Sequence, residues 1–327
     1  MHGYRKFCNK IYQATKYVLG KLPADFTPLP AASLTGHESL SELWILHKLT
    51  TAAAEINTAL ASREFSQATS ASYQYWYTNL CDVYIENSKT IITTGTLAEA
   101  ASAQQTLYTA LEGGLTMIHP FMPFLTEELW QRLPRRPGDK CPSIVKAAYP
   151  IYNKAMDDPA AESAYELILA VSKAIRSLAA DYDIKDSANI YIHLFDHPPF
   201  SICQAQLPSI RSLAGKPLTG PAASATILGP HDPKPAGCVA QSVSSLAAVY
   251  LLVKGRVDIE AEITKAQSKL GKASALVEKQ RKIVEGEGWG KMREEARESE
   301  RRRLGDAESE VRVLEGSVAQ FERLKVE

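Results

Sequence analysis

Tyr4-Arg5-Lys6-Phe7-Cys8-Asn9-Lys10-Ile11-Tyr12-Gln13-Ala14-Thr15-Lys16-Tyr17-Val18 opens the chain with two patterns on one element. Tyr4, Phe7, Ile11, Ala14 and Val18 recur at helical spacing, which predicts a helix with one face in a core. Lys6, Lys10, Gln13 and Tyr17 repeat on a second face about 100° away, with Asn9 and Lys16 at its edges. A Pro-containing loop at residues 22–30 ends this helix. Working outward, Leu43, Leu46, Ala53, Ile56 and Leu60 predict a second helix. Tyr73, Trp76, Tyr77, Leu80, Tyr84 and Ile91 predict a third with a single stripe whose aromatics read as packing. Leu107, Leu111 and Leu115 mark the inward face of a fourth, over 97–118. A short fifth follows Pro123, where a first-turn proline costs no hydrogen bond. Residues 1–152 therefore read as an antiparallel helical bundle.

The pattern then changes twice. Asp158-Pro159 resembles a helix cap followed by a first-turn proline, opening a helix through Leu178. Beyond it, Ile190, Ile192 and Leu194 alternate with Tyr191, His193 and Phe195, and further strand candidates lie at 223–228, 238–243 and 247–253. Residues 153–254 thus form a small α/β domain. From Val257 onward, Ile259, Ile263, Ala266, Leu270, Ala273, Val277, Gln280 and Val284 keep a heptad seam, and Leu304, Ala307, Val311, Leu314, Val318 and Phe321 keep a second. The glycines Gly286, Gly288 and Gly290 between them predict an antiparallel coiled-coil hairpin over 255–327, with arms of about 40 Å or more. The fold class is mainly α.

With 327 residues, 45% of them hydrophobic, the chain can bury a sizeable core. Lys plus Arg and Asp plus Glu both number 37, so any electrostatic footprint for a polyanion must be local. Five scattered cysteines without a CxxC pair argue against a disulfide framework or a zinc site and favour a reducing compartment, which makes the expected location cytoplasmic. No apolar run approaches the roughly 20 residues of a membrane span. The basic start, Arg5, Lys6, Lys10, Lys16 and Lys21 with no acid before Asp25, also fits a mitochondrial presequence, against its reading as a first domain helix.

No self-contained active site is legible. Gly286-Glu287-Gly288-Trp289-Gly290-Lys291 lacks the P-loop spacing and reads as a hairpin turn, and the histidines form no metal-binding pair. No cofactor is expected within this chain. The second face of the first helix combines cations, amides and a ring, the chemistry that single-stranded RNA recognition needs, against the plainer reading of a solvated basic face. Lys279, Arg281, Lys282, Arg301, Arg302 and Arg303 lie near the hairpin turn, with acids between them, and read either as phosphate contacts or as salt-bridged solvated helices.

A longer motif joins these pieces. Ile118-His119-Pro120-Phe121-Met122-Pro123-Phe124-Leu125-Thr126-Glu127-Glu128-Leu129-Trp130 resembles the signature that closes the anticodon-binding helical domain of valine, isoleucine and leucine tRNA synthetases. Gly3-Tyr4-Arg5-Lys6-Phe7-Cys8-Asn9-Lys10 resembles the opening of that domain, and Leu80-Cys81-Asp82-Val83-Tyr84-Ile85-Glu86 its central helix. Gln131-Arg132-Leu133-Pro134-Arg135-Arg136, Tyr149-Pro150 and the coiled coil after Gly255-Arg256-Val257-Asp258 point to the valine family of eukaryotic type. The resemblance covers essentially the whole chain and implies the C-terminal third of such a ligase.

It implies valine tRNA as a partner, with Asn9, Lys10, Lys16 and Tyr17 as anticodon contacts and the hairpin cations as backbone contacts. Lys16 and Tyr17 stand where Arg and Phe are common in relatives, keeping charge and ring but losing a bidentate fork. The family's HIGH and KMSKS signatures and editing domain have no counterpart in this sequence. ATP and Mg²⁺ would act upstream, in catalytic and editing domains that are partners of this region. A freestanding synthetase-derived tRNA-binding or regulatory protein, and a structural coiled-coil adaptor, are the competing readings.

Overall fold

The computed structural model describes residues 2–253, 259–286 and 289–326. Val257, Glu287 and Gly288, which the hairpin reading used, and Gly255, Arg256 and Asp258 of the resemblance lie outside the described residues, as do the side chains of Tyr4, Ile259 and Lys291. The chain divides into two compact units, Met1–Glu166 and Leu167–Glu327.

The first unit is the helical bundle. Helix α1 (His2–Leu19) is followed by α2 (Leu40–Ala61) and α3 (Phe65–Tyr73), which runs into a π-helical stretch (Gln74–Tyr84) and α4 (Ile85–Thr94). Then come α5 (Leu97–Ile118) and α6 (Pro123–Trp130). The predicted stripe of α1 is buried at Phe7, Ile11, Ala14 and Val18. At the start of α2 the Ser39 amide donates to the Glu42 carboxylate at 2.9 Å, and on α5 Thr96 and Glu99 form a capping box, the Thr96 amide donating to Glu99 at 2.7 Å and the Glu99 amide to Thr96 Oγ1 at 3.3 Å.

The third predicted stripe needs correction. Tyr75, Trp76, Leu80 and Tyr84 are buried, whereas Tyr73 stays 47% exposed and Tyr77 is only half-buried. The physical reason is the π-helical stretch: hydrogen bonding to the fifth residue widens each turn and rotates side chains away from the α-helical register. The widened turn lets Tyr75 donate its hydroxyl to Ala110 O (2.9 Å), and the Trp76 indole donates to Gly114 O (2.9 Å). Gly114 is needed at this approach, because a Cβ there would sit 3.1 Å from both Tyr75 and Trp76.

The signature residues build the corner between α5 and α6. His119 Nδ1 lies 2.7 Å from Thr126 Oγ1, and the same hydroxyl donates to Met122 O at 2.9 Å. Pro123 starts α6, and the Glu127 carboxylate accepts from Ser143 Oγ and Ile144 N at 2.9 Å each, pinning the following loop.

The second unit carries the sheet, and the division falls inside α7 (Pro159–Asp181). Its elements are β1 (Asn189–Leu194), α8 (His197–Ala205), α9 (Leu207–Ala214), β2 (Ser224–Leu228), β3 (Cys238–Ser244) and β4 (Ala247–Leu252). The strand order is β2-β1-β4-β3, with β1 parallel to β2 and antiparallel to β4. Helices α10 (Ile259–Val284) and α11 (Glu294–Val326) pack along each other as the predicted hairpin.

One feature of α11 was not predicted. Besides its seam at Ala307, Leu314 and Phe321, it buries Ser309, Val313 and Ser317 on a second face. Val313 packs on Cys238, Ala248 and Tyr250 of the sheet, and Asp306 accepts from the Ser245 amide at 2.8 Å. The middle of α11 is therefore sheet-bound, and Arg301, Arg302 and Arg303 lie about one turn before that anchored stretch.

Candidate nucleic-acid interface

The polar side of α1 splits into two environments. Arg5, Lys6, Asn9, Gln13 and Lys16 are exposed, and among the described residues their side chains make no ion pair or hydrogen bond. They project from a helix whose opposite face is locked into the core, which holds the polar row at fixed spacing without spending side-chain partners.

Lys10 and Tyr17 face the seam between α1 and the segment 74–94. The Lys10 ammonium is 2.5 Å from Asp82 Oδ1 and 3.3 Å above the Tyr77 ring centroid. Burial acts to lower the pKa of this ammonium, but the hydrogen bond and charge of Asp82 outweigh it, so the group sits above its ordinary value. The Tyr17 hydroxyl is buried beside Ser88, and the ring lies 5.6 Å from both Lys21 Nζ and Lys89 Nζ. Burial, reinforced by Glu86, raises the phenol's pKa. Tyr17 is thus a half-buried ring under two cations rather than an open platform.

Sequence reasoning did not single out Tyr12 and read Tyr73 and Tyr77 as packing, whereas the structure leaves Tyr73 exposed and Tyr77 half-buried. Tyr12 is 42% exposed on α1. Tyr73 and Tyr77 stack with centroids 5.1 Å apart, and Phe7 lies 4.8 Å from Tyr73. Tyr12 shares a readable spacing with Arg5, Asn9 and Lys16. Tyr73 and Tyr77 had no comparable signal, because the π-helical stretch that begins at Gln74 separates them from the buried Tyr75 and Trp76.

The hairpin cations also divide. Arg281 pairs with Glu308 at 3.0 Å across the two helices, and Arg303 pairs with Glu300 at 2.5 Å. Arg301 is 3.9 Å from Glu294 and 5.5 Å over the Trp289 ring. Lys279, Lys282 and Arg302 are exposed and carry no ion pair among the described residues. Among those residues no group of three or more His, Cys, Asp or Glu could hold a metal ion, and no helix is long and apolar enough to cross a membrane.

A helical bundle displaying a row of polar side chains that make no ion pair or hydrogen bond among the described residues offers a surface for a nucleic acid. Residues 42–194 match the family model of the anticodon-binding domain of tRNA ligase. The whole chain is 42% identical to 29% of the mitochondrial valine–tRNA ligase of Saccharomyces cerevisiae. Over 216 residues, 66% of the chain, it is 50% identical to 22% of the valine–tRNA ligase of Schizosaccharomyces pombe. Over 98% of its length it is 35% identical to 25% of the human valine–tRNA ligase. The chain belongs to the valine–tRNA ligase family and corresponds to its C-terminal, anticodon-binding portion. It spans about a quarter of the length of the curated relatives it matches.

Proposed function

We propose that this chain is the tRNA-binding part of an ATP-dependent valine–tRNA ligase: the bundle reads the valine anticodon and the hairpin meets the outer corner of the same tRNA. The observation that carries this reading is the partner-free row Arg5, Lys6, Asn9 and Lys16 on a helix fixed by its buried stripe. Cations and amides held at helical spacing can meet both the phosphates and the base edges of a splayed loop. Asn9 and Lys16 act from this open row, and Lys10 and Tyr17 from the seam beside it. Lys279, Lys282 and Arg302 supply backbone contacts at the hairpin, with Arg281, Arg301 and Arg303 held by intramolecular partners.

ATP and Mg²⁺ belong to catalytic domains outside this sequence, and the partners of the chain are valine tRNA and those catalytic and editing domains. The proposed compartment is the cytoplasm. Its support is the set of unpaired cysteines, which fits a reducing compartment. An import assay with isolated mitochondria tests the alternative of a mitochondrial form.

Valine tRNAs share the second and third anticodon letters, A and C, so the decisive experiment is competition for the chain between valine tRNA and a transcript in which both letters are exchanged. Preference for the unaltered tRNA is expected, and equal binding of the two rejects the reading.

A further inference from the structure

The cations near α1 differ in one respect that sets their chemistry. Arg5, Lys6 and Lys16 are free to meet a phosphate, whereas Lys10 is already neutralised by Asp82. A neutral pair gains little from a phosphate, and the outermost charge of this pair is the wrong sign for one: the Asp82 side chain is 51% exposed and that of Lys10 27%. Asp82 Oδ2 accepts no hydrogen bond among the described residues, and an ammonium has three donors, of which the contact with Oδ1 uses one. Tyr77 fixes the place of the ammonium from below, and the Tyr73 ring stacks on Tyr77 at an interplanar angle of 12°. The solvent side of this assembly is therefore an acceptor and a donor held next to each other in a set order.

We propose that the Lys10–Asp82 pair reads a base edge, Asp82 accepting a hydrogen bond from an exocyclic amine while Lys10 donates to the adjacent ring nitrogen. This inference rests on the anticodon reading above. On the Watson–Crick edge, an amine beside an unprotonated ring nitrogen exists only in adenine, at N6 and N1, and in cytosine, at N4 and N3. Guanine and uracil present a carbonyl oxygen beside an N–H, the same two functions in reversed order. In a loop whose strand direction is fixed, that order drives the carbonyl oxygen against the Asp82 carboxylate. The two letters common to valine anticodons are an adenine and a cytosine, so the edge this pair accepts occurs at both of them. Asp82 then adds discrimination that a lysine alone, which donates to any acceptor, cannot supply.

The test removes the amine rather than the protein's charge. Valine tRNA is prepared with purine riboside, which lacks the N6 amine, at the second anticodon letter, or with the cytidine analogue lacking the N4 amine at the third. Binding of each to the full chain is then measured. Loss of a hydrogen bond to a charged group predicts about tenfold weaker binding for one of the two, and the arm that responds names the base. In Asp82→Asn the same amine deletion is expected to change binding less than twofold. Asp82→Glu, which moves the carboxylate by one methylene, gives the same comparison if the amide variant fails to fold.

Two results overturn the proposal while leaving the anticodon reading intact. In the first, neither amine deletion weakens binding, although exchanging both letters does. In the second, the amine effect keeps its full size in a folded Asp82 variant. If exchanging both letters has no effect on the unaltered chain, the anticodon reading falls and this inference falls with it.

Discussion

Splitting the hairpin cations into paired and unpaired sets gives a quantitative test of the arm. Each cation that displaces counterions from a phosphate contributes about 0.7 to 0.9 to the slope of log affinity against log salt. Lys279, Lys282 and Arg302 are uncommitted, so replacing all three with Gln should flatten the slope by about 2 to 2.7. Between 50 and 200 mM salt, a fourfold span, that amounts to a loss of affinity smaller by about 20- to 40-fold than in the unaltered chain. The matched triple at Arg281, Arg301 and Arg303 starts from ion pairs with Glu308, Glu294 and Glu300. These arginines must give up a partner to reach a phosphate, so their replacement should change the slope by less than about 1. Filter binding of valine tRNA at five salt concentrations reads both slopes. Equal changes in the two triples, or none in either, would refute the idea that intramolecular pairing decides which cations meet the tRNA.

Other consequences follow from single sites. Gly114→Ala brings a Cβ to 3.1 Å from Tyr75 and Trp76, so thermal melts should show destabilisation of about 1 to 3 kcal/mol with the helical spectrum retained below the transition. Glu162 is held below the usual carboxylate range, first by the Lys48 hydrogen bond at 2.5 Å and further by His47. The stability it contributes is present above its unfolded value of 4.5 and is lost as pH falls through the lower folded value. Urea titrations should accordingly find Glu162→Gln less stable than the unaltered chain near neutrality, with the gap closing in acid. The chain by itself should catalyse no valine-dependent pyrophosphate exchange, since it carries neither HIGH nor KMSKS, and exchange above background would contradict that.

How much of this could be read before folding varied by element. The α1 stripe of Phe7, Ile11, Ala14 and Val18, the strands of the small sheet and the two heptad seams were all legible, because each is a short-range periodicity that backbone geometry imposes on the sequence. The corner at 118–130 was legible for a different reason: it resembles a family signature and places Pro123 in a first turn, whereas the contacts of Glu127 with Ser143 and Ile144, 16 and 17 residues further on, had no local signal.

What tertiary structure decided is everything that depends on which surfaces meet. The π-helical stretch takes its register from packing Tyr75 and Trp76 onto the Ala110 and Gly114 carbonyls, and no local pattern announces that Tyr73 and Tyr77 then turn outward. Val313 departs from the heptad because the sheet, distant in sequence, offers α11 a second apolar face. Lys10 and Tyr17 were identifiable by residue type and spacing, but their state was not. An ion pair 72 residues away in the chain makes Lys10 a neutralised group over a ring, and the seam with the segment 74–94 half-buries Tyr17. Spacing along one helix fixes which side chains share a face; whether that face is free, paired or covered is set by the rest of the fold, because charge neutralisation and burial are properties of neighbours in space.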